Sequence, residues 1–292
     1  MLSLRIKSPA KINIYLDVLS KRPDNYHNLL TLFERIGLFD RIVFKINKNS
    51  DKINLWCNKK GLPVDSSNLV YKAALLIRKD FKINIGLDIK LYKHIPVGSG
   101  LGGASGDAAS TLMALNRLYG LKLGKSKLLD YAAKLGADVP FFVLNESFAL
   151  GKGKGDVFIK AGIKRATFWH ILVIPKVKVI TKSVYQAFKL SHKKSLTKSL
   201  NNVNIIIYAL NKKDCLGASK YLHNSLEEVS LEKYPIIRKI KNNLREIGVK
   251  AVLMSGSGPA VFGLVGSRKE ALRLKRRLGF LNNAEVFVVK TL

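Results

Sequence analysis

The sequence contains few cysteines and lacks a long apolar run. Cys57 and Cys215 are the only two cysteines in 292 residues, and they form no CxxC pair, so no disulfide framework or cysteine metal site is indicated. No run approaches the roughly 18 apolar residues that a membrane-spanning helix needs. The N-terminal segment is too short and too charged for a secretory signal. We therefore expect a cytoplasmic protein with no membrane partner.

Acidic residues are also scarce, with 20 Asp and Glu against 51 Lys and Arg, which gives a net charge of +31. Such a charge is compatible with a nucleic-acid partner. The basic residues are dispersed, however, and no RNP-type aromatic pattern accompanies them. A positive field would also attract a small anionic substrate. We therefore expect no nucleic-acid partner and keep a basic RNA-binding protein as the alternative from another class.

The five histidines show no ligand spacing, so no protein-built metal site is predicted. A hydrophobic content of 47% supports ordered cores. The length allows one large domain or two ordinary ones.

The most informative stretch is a glycine-rich loop, PVGSGLGGASGDAA at 96–109. An alternating apolar pattern at 85–91 predicts a strand before the loop, and helical spacing predicts a helix after it that stops at Gly120. Glycines let the backbone approach a ligand closely, and free N–H groups at a helix start favour phosphate. The predicted cofactor-binding residues of the loop are Pro96, Gly98, Ser99, Gly100, Leu101, Gly102, Gly103, Ala104, Ser105 and Gly106.

Two better-known phosphate loops fit this chain less well. Gly98, Gly100 and Gly103 satisfy a dinucleotide fingerprint, but no acidic residue follows about 20 positions later, where a ribose ligand should be. A near-Walker segment at 120–126 is one residue too short between its glycines, and Lys125 more readily opens the next helix.

Segment 11–18 alternates strictly and predicts a strand whose two faces differ. The apolar side chains share one face, while Lys11, Asn13, Tyr15 and Asp17 share the other. By itself this pattern is typical of a half-buried strand with a solvated polar face. Further along, SGSGP at 255–259 lies between two apolar runs and predicts a tight turn.

Together, PAKIN at 9–13, the glycine loop and SGSGP at 255–259 resemble the three signature motifs of the GHMP kinases. The resemblance implies an α+β fold with an N-terminal ATP-binding domain over 1–160 and a C-terminal split β-α-β, ferredoxin-like domain over 161–292. It places the active site in the cleft between the two domains. It also implies ATP-dependent phosphorylation of a small-molecule alcohol.

Three further features resemble the family member that phosphorylates the 2-hydroxyl of a cytidine diphosphate-linked methylerythritol: NYH at 25–27, GADVP at 136–140, and Tyr185. The resemblance implies that Tyr26 and Tyr185 sandwich the cytosine and that His27 hydrogen-bonds its edge. Asn25 replaces the usual glycine, and asparagine tolerates the left-handed conformation.

Two other residues are assigned to the substrate site. Asn13 would position the acceptor, and Thr181 stands at the start of a helix predicted over 181–190, which it is expected to cap. Other GHMP kinases, acting on mevalonate-type or homoserine-type alcohols, remain the first alternative.

The resemblance also implies the catalytic and nucleotide-binding roles. Asp138 would accept or orient the proton of the attacking hydroxyl, and Lys11 would stabilise negative charge on the oxygens. Asn68 is a good helix N-cap and lies near the adenine in the resembled enzyme, while Lys93 would contact the base. Mg²⁺ would bridge the phosphates of ATP, with Ser105 as a possible ligand.

In the second half of the chain, apolar spacing predicts helices over 195–212, 217–229, 235–247 and 268–279. Strands are predicted at 171–175, on both sides of the turn at 255–259, and at 285–290. The segment GKGD at 153–156 is predicted to be a turn.

Overall fold

The structure is a computed structural model that describes residues 3–164, 166–189, 195–279, 281 and 283–292. Its strands are β1 Ser3–Lys21, β2 His27–Asn47, β3 Ile53–Cys57, β4 Gly86–Tyr92, β5 Phe148–Lys152, β6 Val157–Lys160, β7 Trp169–Pro175, β8 His223–Asn224, β9 Ala251–Met254, β10 Val261–Val265 and β11 Ala284–Lys290. Its helices are α1 Leu69–Asp80, α2 Gly103–Leu118, α3 Lys125–Leu135, α4 Val139–Leu144, α5 Thr181–Ala187, α6 Leu196–Asn211, α7 Cys215–Ser219, α8 Glu227–Lys233, α9 Pro235–Glu246 and α10 Arg268–Leu278.

The chain forms two compact units whose segments alternate along the sequence. The first unit contains the N-terminal residues up to Ala10, Leu38–Val97 and Gly102–Glu146. The second contains Lys11–Gly37, Gly98–Leu101 and Ser147–Leu292. Strands β1 and β2 therefore give residues to both units. The predicted boundary near residue 160 stays a prediction.

In the first unit, helices pack against one another beside a small sheet. Strand β4 pairs antiparallel with the C-terminal part of β2 and parallel with β3. Helix α2 is buried over much of its surface. Its own buried side chains are mostly small or aliphatic, and they include Ala108, Ala109 and Leu112. Small side chains let neighbouring helices approach closely, so α2 holds its N-terminus in a fixed place.

The second unit contains a four-stranded antiparallel sheet in the order β11-β7-β10-β9. The chain order of β7, α9, β9, β10, α10 and β11 gives the predicted split β-α-β arrangement, which is confirmed. Its core includes Val173, Ile240, Val261 and Leu274. Strand β8 lies apart from this sheet and pairs parallel with β1.

The predicted elements of the second half need two corrections. No single helix covers 217–229, because that stretch contains the end of α7, the short strand β8 and the start of α8. The helix predicted over 181–190 ends at Ala187, its N-cap position is Ile180, and Thr181 is its first residue. Leu190 falls outside the described residues.

Short elements were missed by the sequence analysis. Helix α4 has six residues, and β5 and β6 form a hairpin around the predicted turn at 153–156. Among the described residues, none of the helices is both long enough and apolar enough to span a bilayer.

Candidate active site

The glycine loop joins β4 to α2, and three of its glycines adopt a left-handed backbone conformation. Gly98, Gly100 and Gly102 have φ values of 68°, 79° and 67°, where a side chain would be strained. A Cβ on Gly100 would also lie 2.5 Å from the Ser255 carbonyl oxygen. Gly102 is the N-cap of α2, so the first N–H groups of α2 lack intrahelical partners. This helix start can bind an anion.

The turn at 255–259 holds the N-terminal part of the loop. The Ser255 hydroxyl donates to the Gly100 carbonyl at 3.2 Å, and the Ala260 N–H donates to the Ser99 carbonyl at 3.1 Å. The Asn13 N–H donates to the Ser255 hydroxyl at 3.2 Å. The third signature stretch therefore connects the loop to β1 within the second unit.

Lys11 and Asn13 lie side by side on the polar face of β1. The Lys11 ammonium donates to Asn13 Oδ1 at 2.7 Å and lies 4.9 Å from the centre of the Phe33 ring. Asn13 Nδ2 donates to the Thr31 hydroxyl at 2.9 Å, which donates to the Tyr15 carbonyl. Lys11 is only 4% exposed, so its charge lies in a low-dielectric setting where it acts strongly on a nearby anion.

Asp138 lies in the first unit, at the turn between α3 and α4. It occupies the N-cap position of α4, but its side chain makes no capping hydrogen bond. The turn is fixed by the Val139 N–H, which donates to the Gly136 carbonyl at 3.1 Å. The carboxylate is therefore not used to cap the helix, unlike most aspartates at this position.

The Lys93 side chain lies in a buried ion-pair cluster, and its predicted contact with the base stays a prediction. Its ammonium forms ion pairs with Asp40 and with Asp107, the latter at 2.7 Å, and its side chain is only 6% exposed. Its backbone N–H donates to Asn58 Oδ1 at 2.7 Å. Asp40 and Asp107 were not predicted as partners of Lys93, because Asp40 lies in a distant strand and the position of Asp107 inside the glycine-rich motif does not show which charge it meets.

Burial affects the ionisation of this cluster. Burial raises the pKa of Asp107 to about 7, the Lys93 ammonium opposes that shift and the Asp40 carboxylate adds to it. Burial alone would lower the pKa of Lys93, but the Asp107 and Asp40 carboxylates outweigh it and raise that pKa. Lys93 is therefore charged at neutral pH.

Asn68 caps α1, as its position before an apolar run predicts. Its Oδ1 accepts the Val70 N–H at 2.9 Å, and its Nδ2 donates to the Pro63 carbonyl at 2.7 Å. The helix-capping prediction is confirmed. The predicted contact of Asn68 with adenine stays a prediction.

The predicted base-binding residues lie in the second unit, around the turn after β1. Asn25 adopts a left-handed φ of 62°, so asparagine does replace the usual glycine in this conformation. The Tyr26 ring is 60% exposed, and the Lys154 ammonium lies 4.6 Å from its centre. The His27 ring stacks on Tyr185 with a centroid separation of 5.4 Å and an interplanar angle of 29°.

The charged neighbours of Tyr26 order this turn. The Asp24 carboxylate accepts from Lys154 at 3.1 Å, from Arg22, and from the Tyr26 N–H. Desolvation raises the pKa of Asp24, but these three donors together outweigh it and lower that pKa to about 2. Burial, followed by the Lys21 charge, lowers the pKa of His27. His27 is therefore neutral at pH 7, with one ring nitrogen to donate and one to accept.

Thr181 contacts the third signature stretch. Its hydroxyl lies 2.8 Å from the Ser257 hydroxyl, and the Ser230 hydroxyl donates to the Ser257 carbonyl. The start of α5, which carries Tyr185, is thus attached to the same turn that holds the glycine loop.

The start of α2 carries a hydroxyl oxygen of the kind that a hard cation such as Mg²⁺ can take as a ligand. Within the described part of the chain, no group of three or more His, Cys, Asp or Glu residues is arranged to hold a metal. Mg²⁺ commonly binds through substrate phosphates and water with one or two protein ligands. Ser105, in the first turn of α2, can provide a hydroxyl of this kind.

Two domain families match the chain, and both are domains of the GHMP kinases. The GHMP kinases N terminal domain matches residues 68–146, and the GHMP kinases C terminal domain matches residues 206–283.

Similar proteins are found over the whole length. A 4-diphosphocytidyl-2-C-methyl-D-erythritol kinase from Geobacillus thermodenitrificans is 39% identical over 290 residues, which cover 99% of this chain and 97% of the relative. The protein with the same name from Geobacter metallireducens is 39% identical over 289 residues, covering 99% and 98%.

Solved structures agree. A 4-(cytidine 5'-diphospho)-2C-methyl-D-erythritol kinase matches with a TM-score of 0.82 and 33% identity, over 98% of this chain and 99% of that one. A homoserine kinase from Cytophaga hutchinsonii matches with a TM-score of 0.75 and 20% identity, over 98% and 94%. The second likeness shows the fold alone.

Proposed function

Because the chain belongs to the GHMP kinase family, we propose that it transfers a phosphoryl group from ATP to the 2-hydroxyl of 4-diphosphocytidyl-2-C-methyl-D-erythritol. The products are the 2-phosphate and ADP. The observation that carries the proposal is the 39% identity, over 99% of the chain, to a relative that bears that kinase's name. The reaction belongs to the non-mevalonate, methylerythritol phosphate route to isoprenoid precursors, and we place it in the cytoplasm.

The glycine loop would bind the triphosphate through backbone N–H groups. Left-handed glycines allow a loop backbone to present successive N–H groups to an anion, and the N-terminus of a helix adds a partial positive charge. Phosphoryl transfer requires alignment and neutralised charge more than covalent chemistry. Binding by backbone groups supplies both without a flexible side chain.

A magnesium ion bound with ATP would neutralise charge on the phosphate oxygens. The neutral Ser105 hydroxyl would be its protein ligand, and the phosphate oxygens of ATP would be its anionic ligands. Ser105 lies in the first turn of α2, next to the N–H groups that would bind the phosphates.

Asp138 would accept or orient the proton of the attacking 2-hydroxyl. A carboxylate within hydrogen-bond reach of an attacking hydroxyl can act as its general base. Lys11 would stabilise the negative charge that develops on the acceptor and phosphoryl oxygens. Asn13, which accepts from Lys11 at 2.7 Å, would orient the ammonium and the acceptor.

The cytidine end would be recognised by aromatic and polar groups of the second unit. Tyr26 offers an exposed ring face, and a base can stack on such a face. Tyr185 would provide the second ring. His27, neutral at pH 7, can both donate to and accept from the edge of a cytosine.

The test is ADP release from ATP and Mg²⁺ with four acceptor conditions: the cytidyl substrate, mevalonate, homoserine, and no acceptor. We expect turnover with the cytidyl substrate alone, and ³¹P NMR should show a new phosphomonoester on the 2-oxygen. The Asp138→Asn variant purified in parallel controls for contaminating ATPases. Turnover with mevalonate or homoserine instead would support a kinase activity but contradict the proposed cytosine site.

A further inference from the structure

Asp40 fixes the chain just before the glycine loop. It is a fully buried residue of β2, and its Oδ1 accepts the N–H groups of His94 at 2.6 Å and Ile95 at 2.8 Å. Its Oδ2 accepts from the Lys93 ammonium. Three consecutive residues leading into Pro96 therefore depend on one carboxylate, which fixes the entry of the loop.

Lys93 extends this attachment to the exit of the loop. Its ammonium also donates to Asp107 Oδ2 at 2.7 Å, in the second turn of α2. A Cβ on Gly103, the first residue of α2, would lie 3.2 Å from the same ammonium and 3.1 Å from Ile95 Cγ2. The Lys93 ammonium thus lies directly behind the helix start that would bind phosphate.

The energetics of burial make this arrangement specific. A buried ammonium with two carboxylates is costly to separate, because the remaining charges would be unpaired in a low dielectric. Contact between the Lys93 ammonium and a nucleotide base would require at least one of these ion pairs to break. The side chain is therefore committed to the protein rather than to the base.

We propose that Lys93 is a positioning residue for the nucleotide: it ties the entry of the glycine loop to the first turns of α2 and so sets the positions of the phosphate-binding N–H groups. This inference rests on the proposed function, in which ATP is the phosphoryl donor. In this proposal Lys93 acts on the binding of the phosphates and not on the base. A variant of Lys93 should therefore weaken the binding of ligands that carry phosphates, whereas a base contact would affect ligands with and without phosphates.

The experiment compares how Mg·ADP and adenosine bind to the wild type and to Lys93→Met, with dissociation constants from calorimetry for ADP and from NMR titration for adenosine. Misplaced N–H groups in Lys93→Met should raise the dissociation constant for Mg·ADP by about tenfold or more. The dissociation constant for adenosine should be nearly unchanged. An equal loss for both ligands would mean a base contact and overturn the proposal, and so would unchanged ADP binding.

Asp107 provides a second, independent test, because it lies on α2 and the proposal gives it no contact with ligand. Asp107→Leu breaks the tie and should reproduce the loss of Mg·ADP affinity seen in Lys93→Met. Asp107→Asn keeps an oxygen that can accept from Lys93 and should retain most of that affinity. Equal ADP binding in Asp107→Leu and the wild type would overturn the proposal.

Two further variants separate positioning from loss of stability. Lys241→Met removes the ammonium of another buried ion pair, with Glu227, and should lower the melting temperature without changing the ratio of ADP to adenosine affinity. If Lys93→Met fails to fold, the double variant Lys93→Met/Asp107→Leu replaces it in the binding comparison. In that variant Asp40 is the only charged residue left of the cluster, and it keeps the His94 and Ile95 N–H donors. Mg·ADP binding should again be weakened and adenosine binding nearly unchanged, and equal loss for both ligands would overturn the proposal. A wild type that binds no ADP and turns over no ATP would instead reject the proposed function.

Discussion

Asp138 differs from an ordinary helix-capping aspartate because its side chain makes no capping hydrogen bond to α4. Asp138→Asn keeps the size and shape of the side chain, so it should fold normally while turnover falls by about 10²- to 10⁴-fold, since the amide cannot accept the hydroxyl proton. Steady-state ADP release and thermal unfolding measure the two quantities. Asp130→Asn, an exposed residue of α3, makes the same charge change and should retain full turnover. Near-normal turnover in Asp138→Asn would remove this residue from the mechanism.

Asp107 has a different property, a pKa raised by burial to about 7 from about 4 in an unfolded chain. The folded state therefore holds this proton more tightly, so Asp107 lowers stability as the pH rises from about 4 to about 7. The side-chain amide in the Asp107→Asn variant does not titrate. The free energy of unfolding of this variant minus that of the wild type should therefore increase as the pH rises through that range, by at most about 1.4 kcal/mol per pH unit.

Urea unfolding of both proteins at pH 5 and pH 8 measures the Asp107 effect. Charges distant from Asp107 titrate equally in the two proteins, so the difference reports on Asp107 together with Lys93 and Asp40, which interact with it. A difference that is the same at both pH values would mean that Asp107 is not protonated in the folded state at pH 5.

Tyr26 and Tyr185 provide ring faces, and a ring face rather than a hydroxyl is needed for stacking. Alanine at either position should weaken binding of the cytidyl substrate by about 1–3 kcal/mol, seen as a higher KM with kcat little changed. Phenylalanine at Tyr26 should retain most of the binding. Unchanged KM for the cytidyl substrate in both alanine variants would reject the base sandwich.

At the scale of elements, two positions of the glycine loop require glycine for different reasons, a left-handed backbone alone at Gly98 and a left-handed backbone with a close neighbour at Gly100. Gly98 has φ of 68° with no atom within 4 Å of a built Cβ, while Gly100 has φ of 79° and the Ser255 carbonyl oxygen 2.5 Å away. Gly98→Ala should therefore cost only backbone strain, about 1–2 kcal/mol. Gly100→Ala must also displace the turn at 255–259, so it should lose more stability.

The same two variants test the link between the loop and nucleotide binding. KM for ATP and the free energy of unfolding are measured for both, and Gly100→Ala should be the more affected in each. A Gly98→Ala variant that is as damaged as Gly100→Ala would show that backbone conformation alone, and not the contact with Ser255, governs the loop.

Elements that depend on local pattern were predicted well from the sequence. The alternation in segment 11–18 and the apolar run after Asn68 gave β1 and α1, because side-chain periodicity and capping are local properties. Strand β8 was missed because it is only His223–Asn224 and forms by pairing with Tyr15 and Leu16, over 200 residues earlier. A helical pattern was read there instead.

The candidate site divides in the same way. The glycine loop and the third signature stretch were found because several unusual residues stand together. The ion pairs of Asp40 and Asp107 were not predicted, although Asp107 lies inside the glycine-rich motif, since sequence spacing does not show which buried charges meet. For the same reason the pairing of the Lys93 side chain with two carboxylates could not be predicted.

At the scale of the whole molecule, the main property is the net charge of +31. Both proposed substrates are polyanions, so the summed field should speed their encounter with the protein. We expect kcat/KM for ATP to fall several-fold as salt rises from about 20 to about 200 mM, because the Debye length shrinks to below about 10 Å. The value of kcat should change little, since it does not depend on encounter.

The charge also allows a sharp test against a nucleic-acid role. A net positive surface should bind an unstructured RNA weakly at low salt, so RNA should inhibit ATP turnover at about 20 mM salt and lose that effect by about 200 mM. Substituting the exposed residues Lys269, Arg273 and Arg276 of α10 with glutamine should make the salt dependence of both effects shallower. RNA binding that survives 200 mM salt and depends on RNA sequence would instead mean that the positive charge serves a nucleic-acid partner.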